Sequence, residues 1–106
     1  MTARYILDYH PLVDSDLFDI SMLIEQYAGQ VVADRKLAEI ERVTYNLRDF
    51  PHIGTIRDDL LPGLHAIPAG EKGVVCFTVD EATHTVFIIC VSYAGADWQG
   101  RVKGRG

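Results

Sequence analysis

A chain of 106 residues is close to the commonest size for one compact domain, so we expect residues 1–106 to form a single hydrophobic core. Its composition, 48% hydrophobic and 24% charged, is that of an ordinary globular protein and excludes a largely disordered chain. The formal net charge of −5 argues against a strongly basic surface of the kind that binds nucleic acid tightly.

The sequence also limits the compartment and the cofactors. No apolar stretch approaches the roughly 20 residues that span a bilayer, and the segment that begins at Met1 has no apolar leader, so we expect a cytoplasmic protein with no membrane partner. Cys76 and Cys90 lie in apolar runs, where we expect free, buried thiols. A disulfide is open if the two runs pair, but a reducing compartment argues against it. No Cys and His cluster has metal-ligand spacing, so we expect no metal and no cofactor.

The apolar pattern of the first half predicts one strand and two helices. Arg4 to Tyr9 is β-prone, and Pro11 then suits the first turn of a helix. Helical spacing predicts helices over Leu12 to Ala28 and over Val31 to Arg48, with Gly29 as the cap between them. So short a connection makes the pair an antiparallel helical hairpin.

The second half is a turn-rich linker followed by strands. The linker runs from His52 to Pro62. Strands are predicted over Gly63 to Ile67, Gly73 to Val79 and Thr85 to Val91, and the last two are long and rich in β-branched residues. The predicted fold is therefore α+β, in the order β-α-α-β-β-β: a helical hairpin packed on an antiparallel sheet in two layers, with the first strand at an edge.

Four groups of residues, in this order along the chain, resemble the RelE/ParE family of toxins from type II toxin–antitoxin (plasmid stabilisation) systems. The resemblance covers nearly the whole chain, and it is closer to the ParE-like members. The groups are Pro11 with Asp16-Leu17 and Ile20; Phe50-Pro51-His52-Ile53-Gly54 with Arg57, Asp59-Leu60 and Pro62-Gly63-Leu64; Val74-Val75-Cys76-Phe77-Thr78-Val79; and Val91-Ser92-Tyr93 with Gly95 and Asp97.

The resemblance implies two different activities. ParE-like toxins poison DNA gyrase, whereas RelE-like toxins cut messenger RNA in the ribosomal A site with basic residues and a Tyr or His on the sheet. In both, a small antitoxin protein covers the toxin and silences it. Exposed strand edges leave a homodimer, or strand addition by the antitoxin, open.

Arg57, His65 and Tyr93 are the candidate catalytic residues if the chain is a ribonuclease. Arg57 matches the family's linker arginine and suits a phosphate or an acidic partner loop, or else it pairs with a neighbouring Asp. His65 stands where the family usually carries an arginine, and it is an acid–base candidate or a polar residue on the outer face of a strand. Tyr93 is a base-stacking or acid candidate, or a strand-end tyrosine packed on Trp98.

A wider set of residues is predicted to contact the target. Lys72 falls near a basic position of the family at the start of the long strand, or else belongs to a solvated turn, and Glu71 beside it offsets its charge. Asp97 matches the acid that closes the family's C-terminal motif, where it suits a cap. The C-terminal stretch carries bases without an acid and predicts either a basic patch or a solvated tail. The target-binding set is Arg57, Lys72, Tyr93, Asp97, Trp98, Arg101, Lys103 and Arg105.

The acidic charge and the histidine at position 65 weaken the case for a ribonuclease, because the family's arginine stabilises developing phosphate charge. The sequence therefore predicts a ParE-like toxin that binds and inhibits DNA gyrase and is neutralised by a cognate antitoxin. The alternatives are a RelE-like endoribonuclease acting on messenger RNA at the ribosome, without a metal, and a degenerate, non-toxic module that only binds antitoxin.

Overall fold

The computed structural model describes residues 4–106, and Met1, Thr2 and Ala3, where the leader was considered, lie outside the described residues. The elements, in chain order, are β1 (Ile6–Tyr9), α1 (Val13–Ala28), α2 (Gln30–Asn46), β2 (Thr55–Ile56), β3 (His65–Ala69), β4 (Gly73–Asp80), β5 (Thr85–Tyr93) and α3 (Trp98–Arg105). No helix within residues 4–106 combines the length and the apolar character that crossing a membrane requires. The α+β class and the helical hairpin predicted from the sequence are confirmed.

The sheet is larger than the predicted one and is mixed. Its five strands lie in the order β1-β5-β4-β3-β2. The neighbours from β2 to β5 are antiparallel, but β1 pairs with β5 in parallel at one edge, with Ile6 opposite Thr85 and Tyr9 opposite Ile88. The three predicted antiparallel strands, β3 to β5, and the edge position of the first strand are confirmed, whereas β2 and the parallel direction of β1 were not predicted. The alternation of apolar residues specifies which face of a strand is buried and not the direction of its partner.

The main core lies between the sheet and the α1–α2 hairpin. Both helices bury one stripe, which includes Val13, Ile20 and Ile24 in α1 and Ala33 and Ile40 in α2. These side chains pack on strand residues that alternate along β4 and β5, and we call this side of the sheet the helix face. The strand members are Val75, Phe77, Val86, Ile88, Val91 and Tyr93.

The C-terminal stretch is not the solvated tail that remained open from the sequence. Residues Trp98–Arg105 form α3, which packs on the opposite side of the sheet, the outer face, through Val102. Its second core includes Leu64, Cys76 and Cys90. Asp97 caps the N-terminus of α3, because its carboxylate accepts the Gly100 N–H at 3.0 Å.

A bulge in β5 changes which side chains face the helices. Cys76 lies opposite Cys90 and Phe77 opposite Ile88, so Ile89 is an extra residue on β5. Before the bulge the even-numbered residues pack on the helix face, and after it the odd-numbered Val91 and Tyr93 do. The bulge therefore turns Tyr93 towards the helices.

The two cysteines are cross-strand neighbours under α3, and both are free and fully buried. Burial raises the pKa of Cys76 to about 12 and that of Cys90 to about 11. Since the thiolate is the reactive form, we expect the folded protein to resist N-ethylmaleimide at mildly alkaline pH, whereas the unfolded protein takes up two equivalents. Mass spectrometry after timed labelling measures this, and rapid labelling of the folded chain would contradict the burial of the pair.

Candidate functional site

The linker between α2 and β3 fixes Arg57 beside the outer face. Gly54 has φ +90°, and a Cβ at this position would lie 2.7 Å from the Ala66 carbonyl oxygen, so the close approach of the linker to β3 requires glycine. Beyond it, Thr55–Ile56 pairs with β3, and the Arg57 N–H donates to the Leu64 carbonyl at 2.8 Å. The backbone that leads into Arg57, and the N–H of Arg57 itself, are therefore held along β3 and the residue before it.

The Arg57 side chain is held by an aromatic ring and a carboxylate. Its guanidinium carbon lies 5.3 Å from the centre of the Trp98 ring of α3. Its Nε and Nη2 each donate to Asp59 at 3.0 Å, a two-pronged geometry. This hydrogen bonding raises the pKa of Arg57 and lowers that of Asp59, so both groups stay charged. About a third of the Arg57 side chain (31%) remains exposed, and its Nη1 donates no hydrogen bond within residues 4–106.

Arg57 and Trp98 line one end of a shallow groove on the outer face, which has a volume of about 210 Å³. One end is cationic and aromatic, and the remainder is apolar, because Pro68 and Val74 form its floor. We call this groove the Arg57 surface, and its residues are Thr55, Arg57, Ala66, Ile67, Pro68, Val74 and Trp98. An aromatic ring, an oriented arginine and a small apolar floor are features of the centres of protein–protein interfaces.

His65 does not reach the Arg57 surface. Its side chain is buried, with only 8% of the residue exposed. The ring stacks on Phe77 with centroids 5.0 Å apart, and Nδ1 lies 3.0 Å from the Ile53 carbonyl oxygen. The sequence left two roles open for His65, an acid–base group or a polar residue on the outer face of a strand. The buried ring fits neither role. His65 holds the linker against β3.

Tyr93 also faces away from the Arg57 surface. Its hydroxyl lies 3.1 Å from the Tyr27 hydroxyl of α1, and 7% of the residue is exposed. The hydrogen bond with Tyr27, together with burial, raises the pKa of Tyr93 to about 12, so the phenol is poorly suited to proton transfer near neutrality. Packing against Trp98, the other position considered from the sequence, is not observed, because Trp98 lies on the outer face.

The remaining residues predicted to contact the target are spread over the molecule. Lys72 lies exposed in the β3–β4 turn, where its carbonyl accepts the Ala94 N–H at 3.0 Å. Asp97 caps α3. Lys103 is exposed on α3, whereas Arg101 and Arg105 point towards α1. Of the predicted set, only Arg57 and Trp98 line the groove.

Arg105 belongs to a buried ion pair that the sequence reasoning missed. Its two terminal nitrogens donate to the two carboxylate oxygens of Asp16 at 2.6 and 2.7 Å, and Nη1 also donates to the Ile89 carbonyl at 3.0 Å. Asp16 is 3% exposed and accepts the Val91 N–H at 3.1 Å, and Arg101 lies 3.6 Å from it. The guanidinium of Arg105 is therefore occupied within the fold, which argues against its predicted role in target contact.

This ion pair closes an edge of the sheet. β1 covers β5 only as far as Ile88, and the free backbone groups of the bulge, the Ile89 carbonyl and the Val91 N–H, then bond to Arg105 and Asp16. We call Asp16 and Arg105 the edge clasp. One signal for it was present in the sequence: Asp16 interrupts the apolar stripe of α1 between Val13 and Ile20, where a carboxylate requires a partner.

No group of three or more His, Cys, Asp or Glu in residues 4–106 is arranged to hold a metal ion.

The chain is similar to one known protein family and to several solved structures. The model of the ParE toxin of the type II toxin–antitoxin system, parDE, matches residues 7–98. No curated protein matches the sequence significantly. Among solved structures, the chromosomal ParDE toxin–antitoxin system from P. aeruginosa superposes with a TM-score of 0.73 at 16% identity, covering 88% of this chain and 99% of that one.

Two RelE-type structures are also similar. The toxin–antitoxin complex RelBE2 from Mycobacterium tuberculosis gives a TM-score of 0.61 at 18% identity, with 86% of this chain and 99% of that chain covered. A mutant of the E. coli toxin RelE in the free state gives 0.63 at 16% identity, with 95% of both chains covered. At these identities the likeness concerns the fold.

Proposed function

We propose that this chain, which belongs to the ParE toxin family of type II toxin–antitoxin systems, acts in the cytoplasm by binding and inhibiting DNA gyrase and is neutralised by an antitoxin protein. Gyrase is the target that ParE-like toxins poison. The antitoxin is supported by the similar structures, since that from P. aeruginosa is described as a ParDE system and that from M. tuberculosis as a toxin–antitoxin complex. No cofactor is needed for such binding.

Arg57 lies on the opposite face of the sheet from His65 and Tyr93, and this separation supports target binding rather than RNA cleavage. In-line cleavage needs a base, an acid and a cation around one phosphate. The chain offers these three residues as the set, but Arg57 stacks on Trp98 at the outer face while Tyr93 bonds to Tyr27 on the helix face. His65 is occupied with Ile53 and Phe77. This arrangement supports a binding surface rather than a ribonuclease centre.

The charge of the Arg57 surface also supports protein binding rather than RNA cleavage. A site that grips RNA gains affinity by placing several cations along the backbone. Here the cation of Arg57 is largely offset by Asp59, and the whole chain carries a net charge of −5. A partly neutralised arginine on a tryptophan is better suited to a hydrogen bond in a protein interface.

The RelE-like alternative is favoured by one observation, the overlap of the fold with that of E. coli RelE over 95% of both chains. It predicts arrest of translation and dependence on Tyr93 and His65. The degenerate alternative, a module that binds antitoxin without toxicity, predicts unimpaired growth with antitoxin binding intact.

The Tyr93→Phe variant separates binding from cleavage. It removes one hydroxyl from the Tyr27–Tyr93 hydrogen bond on the helix face, so if the chain binds gyrase we expect its inhibition of DNA supercoiling to stay within about twofold of the wild type. A tyrosine that acts as acid or base in RNA cleavage contributes roughly 100- to 10,000-fold to the rate. Tyr27→Phe is the matched control, because it removes the other hydroxyl of the same pair. Loss of a ribosome-dependent RNA cleavage with Tyr93→Phe, but not with Tyr27→Phe, would overturn the gyrase proposal.

A further inference from the structure

Cys76 and Cys90 form a pair of thiols that neither the Arg57 surface nor the edge clasp uses. They lie opposite each other on β4 and β5, and both side chains belong to the second core with Val102. The Cα atoms of cross-strand neighbours are roughly 4.5–5.5 Å apart, and a disulfide joins residues whose Cα atoms are roughly 4.4–6.8 Å apart. The two cysteines are therefore within reach of a disulfide without a rearrangement of the strands.

In the folded chain α3 covers this pair. Neither cysteine exposes any of its surface. Burial also raises the pKa of both thiols, so the reactive thiolate is scarce near neutral pH. A small-molecule oxidant reaches the sulfurs only when the covering helix opens.

The covering helix α3 is held weakly by its own sequence. It has eight residues, and isolated helices shorter than about 12 residues are marginal in water. Gly100 and Gly104 lower its helix propensity, and Val102 is its one fully buried residue. Its docking therefore depends on the ion pair between Arg105 and Asp16. We expect α3 to open locally while the sheet beneath it stays folded.

We propose that Cys76 and Cys90 are a thiol–disulfide exchange site, which forms an intramolecular disulfide by reaction with a small-molecule disulfide of the glutathione type when α3 opens. In a reducing compartment the pair stays as two thiols, and the bond forms as the oxidised fraction of glutathione rises. The bond closes a loop around the β4–β5 hairpin, which stabilises the fold by restricting the unfolded chain. The site belongs to the chain alone and does not depend on the identity of its target.

The exchange takes place in two steps. The thiolate of one cysteine attacks a sulfur of glutathione disulfide, whose S–S bond breaks, and a mixed disulfide forms. The glutathione thiolate that leaves takes up the proton that the cysteine lost. The thiolate of the other cysteine then attacks the protein sulfur of the mixed disulfide and releases the second glutathione. The two protein thiols are oxidised by two electrons in total, and one glutathione disulfide is reduced to two glutathiones.

The first test exposes the full, folded chain to millimolar glutathione disulfide at mildly alkaline pH and follows its mass. We expect a slow loss of two hydrogen atoms from a chain that stays monomeric, reversal by dithiothreitol, and a peptide map that joins Cys76 to Cys90. The oxidised chain should unfold at a higher denaturant concentration than the reduced chain. Lasting glutathione adducts, bonds between two chains, no oxidation over a day, or an oxidised chain that unfolds earlier would each overturn the proposal.

The second test asks whether α3 controls the reaction. Arg105→Gln should accelerate disulfide formation roughly tenfold, because it removes the edge clasp and the rate follows the population of the open form. Burial raises the pKa of Cys90 and the charge of Arg105 opposes that rise, so loss of the charge alone would slow the reaction. Acceleration therefore reports the opening of α3. Lys103→Gln is the matched control, because it removes the same charge from an exposed position of α3, and its rate should stay within about twofold of the wild type.

Gly104→Ala changes the same helix in the opposite direction and keeps the fold. A Cβ at this position would meet no atom within 4 Å, and alanine favours a helix over glycine, so we expect oxidation roughly fourfold slower than in the wild type. Circular dichroism checks that each variant is folded before oxidation. Equal rates in Arg105→Gln, Lys103→Gln and Gly104→Ala would contradict the opening of α3 as the route to the thiols and overturn the proposal.

Discussion

Replacement of Asp16 by Ala is expected to lower the free energy of unfolding by about 3–5 kcal/mol, the usual cost of removing one partner of a buried ion pair. The change leaves the Arg105 guanidinium, whose side chain is 11% exposed, without its bidentate partner. It also removes the acceptor of the Val91 N–H at the free edge of β5. Chemical denaturation followed by circular dichroism measures the difference.

The edge clasp also makes stability depend on pH in a defined direction. Burial opposes ionisation of Asp16, but the hydrogen bonds from Arg105 and Val91 and the charges of Arg105 and Arg101 outweigh it, so the pKa of Asp16 is lowered. A carboxyl with a lowered pKa in the folded state stabilises the fold above its ordinary pKa of about 3.9 and loses that contribution as the pH falls through the folded value. The stability gap between the wild type and Asp16→Ala should therefore narrow in acid below about pH 4.

Asp19→Ala is the control for this prediction, because Asp19 lies exposed on the same helix. Its effect should stay near the roughly 0.5 kcal/mol typical of surface substitutions. An Asp16→Ala protein as stable as the control at neutral pH, or a gap that widens in acid, would contradict the role given to the edge clasp.

Replacement of Arg57 by Ala is expected to weaken the inhibition of gyrase by roughly 30-fold, which corresponds to about 2 kcal/mol of binding free energy at an interface hot spot. The variant removes the cation stacked on Trp98 and leaves Asp59 without its hydrogen-bond partner. The concentration of toxin that halves ATP-dependent supercoiling measures the effect. Because Arg57 is partly exposed, the fold should tolerate the change.

Arg42→Ala is the matched control, since it removes the same charge from α2, on the helix face and outside the Arg57 surface. We expect the control to inhibit within about threefold of the wild type, as interface-distant charges act mainly through long-range attraction. Equal inhibition by Arg57→Ala and Arg42→Ala would contradict the proposal that the Arg57 surface contacts gyrase.

Much of this fold could be predicted because its helices obey a simple periodicity. The stripe of Val13, Ile20 and Ile24 recurs at helical spacing, and Gly29 separates the two helices at the predicted place. The long strands β4 and β5 were equally visible as β-branched runs. Local patterns of this kind depend only on neighbours in sequence, which the sequence contains in full.

The third helix could not be predicted from local signals. Gly100 and Gly104 lower its helix propensity, and Val102 is its one fully buried residue. It is held in place by the ion pair between Arg105 and Asp16, 89 residues apart in sequence. A contact over so long a distance leaves only an indirect sign in the sequence, the acid within the apolar stripe of α1.

The candidate site was predicted in part, and the bulge in β5 explains the rest. In an almost wholly apolar strand, alternation does not show where one residue is inserted. Counting from Val86 and Ile88 without the bulge places Tyr93 on the outer face, on the same side as the Arg57 surface. The extra Ile89 turns Tyr93 to Tyr27 instead, so a catalytic trio that looked possible in sequence is divided between two faces.

Controlled induction of this chain alone in bacteria, with cell shape and protein synthesis followed in parallel, tests the central claim most directly. The gyrase account predicts growth arrest with filamentous cells and continued protein synthesis, and reversal when the antitoxin is expressed. Prompt loss of protein synthesis would contradict it in favour of RNA cleavage at the ribosome, and unimpaired growth with well-expressed, folded protein would contradict any active-toxin account.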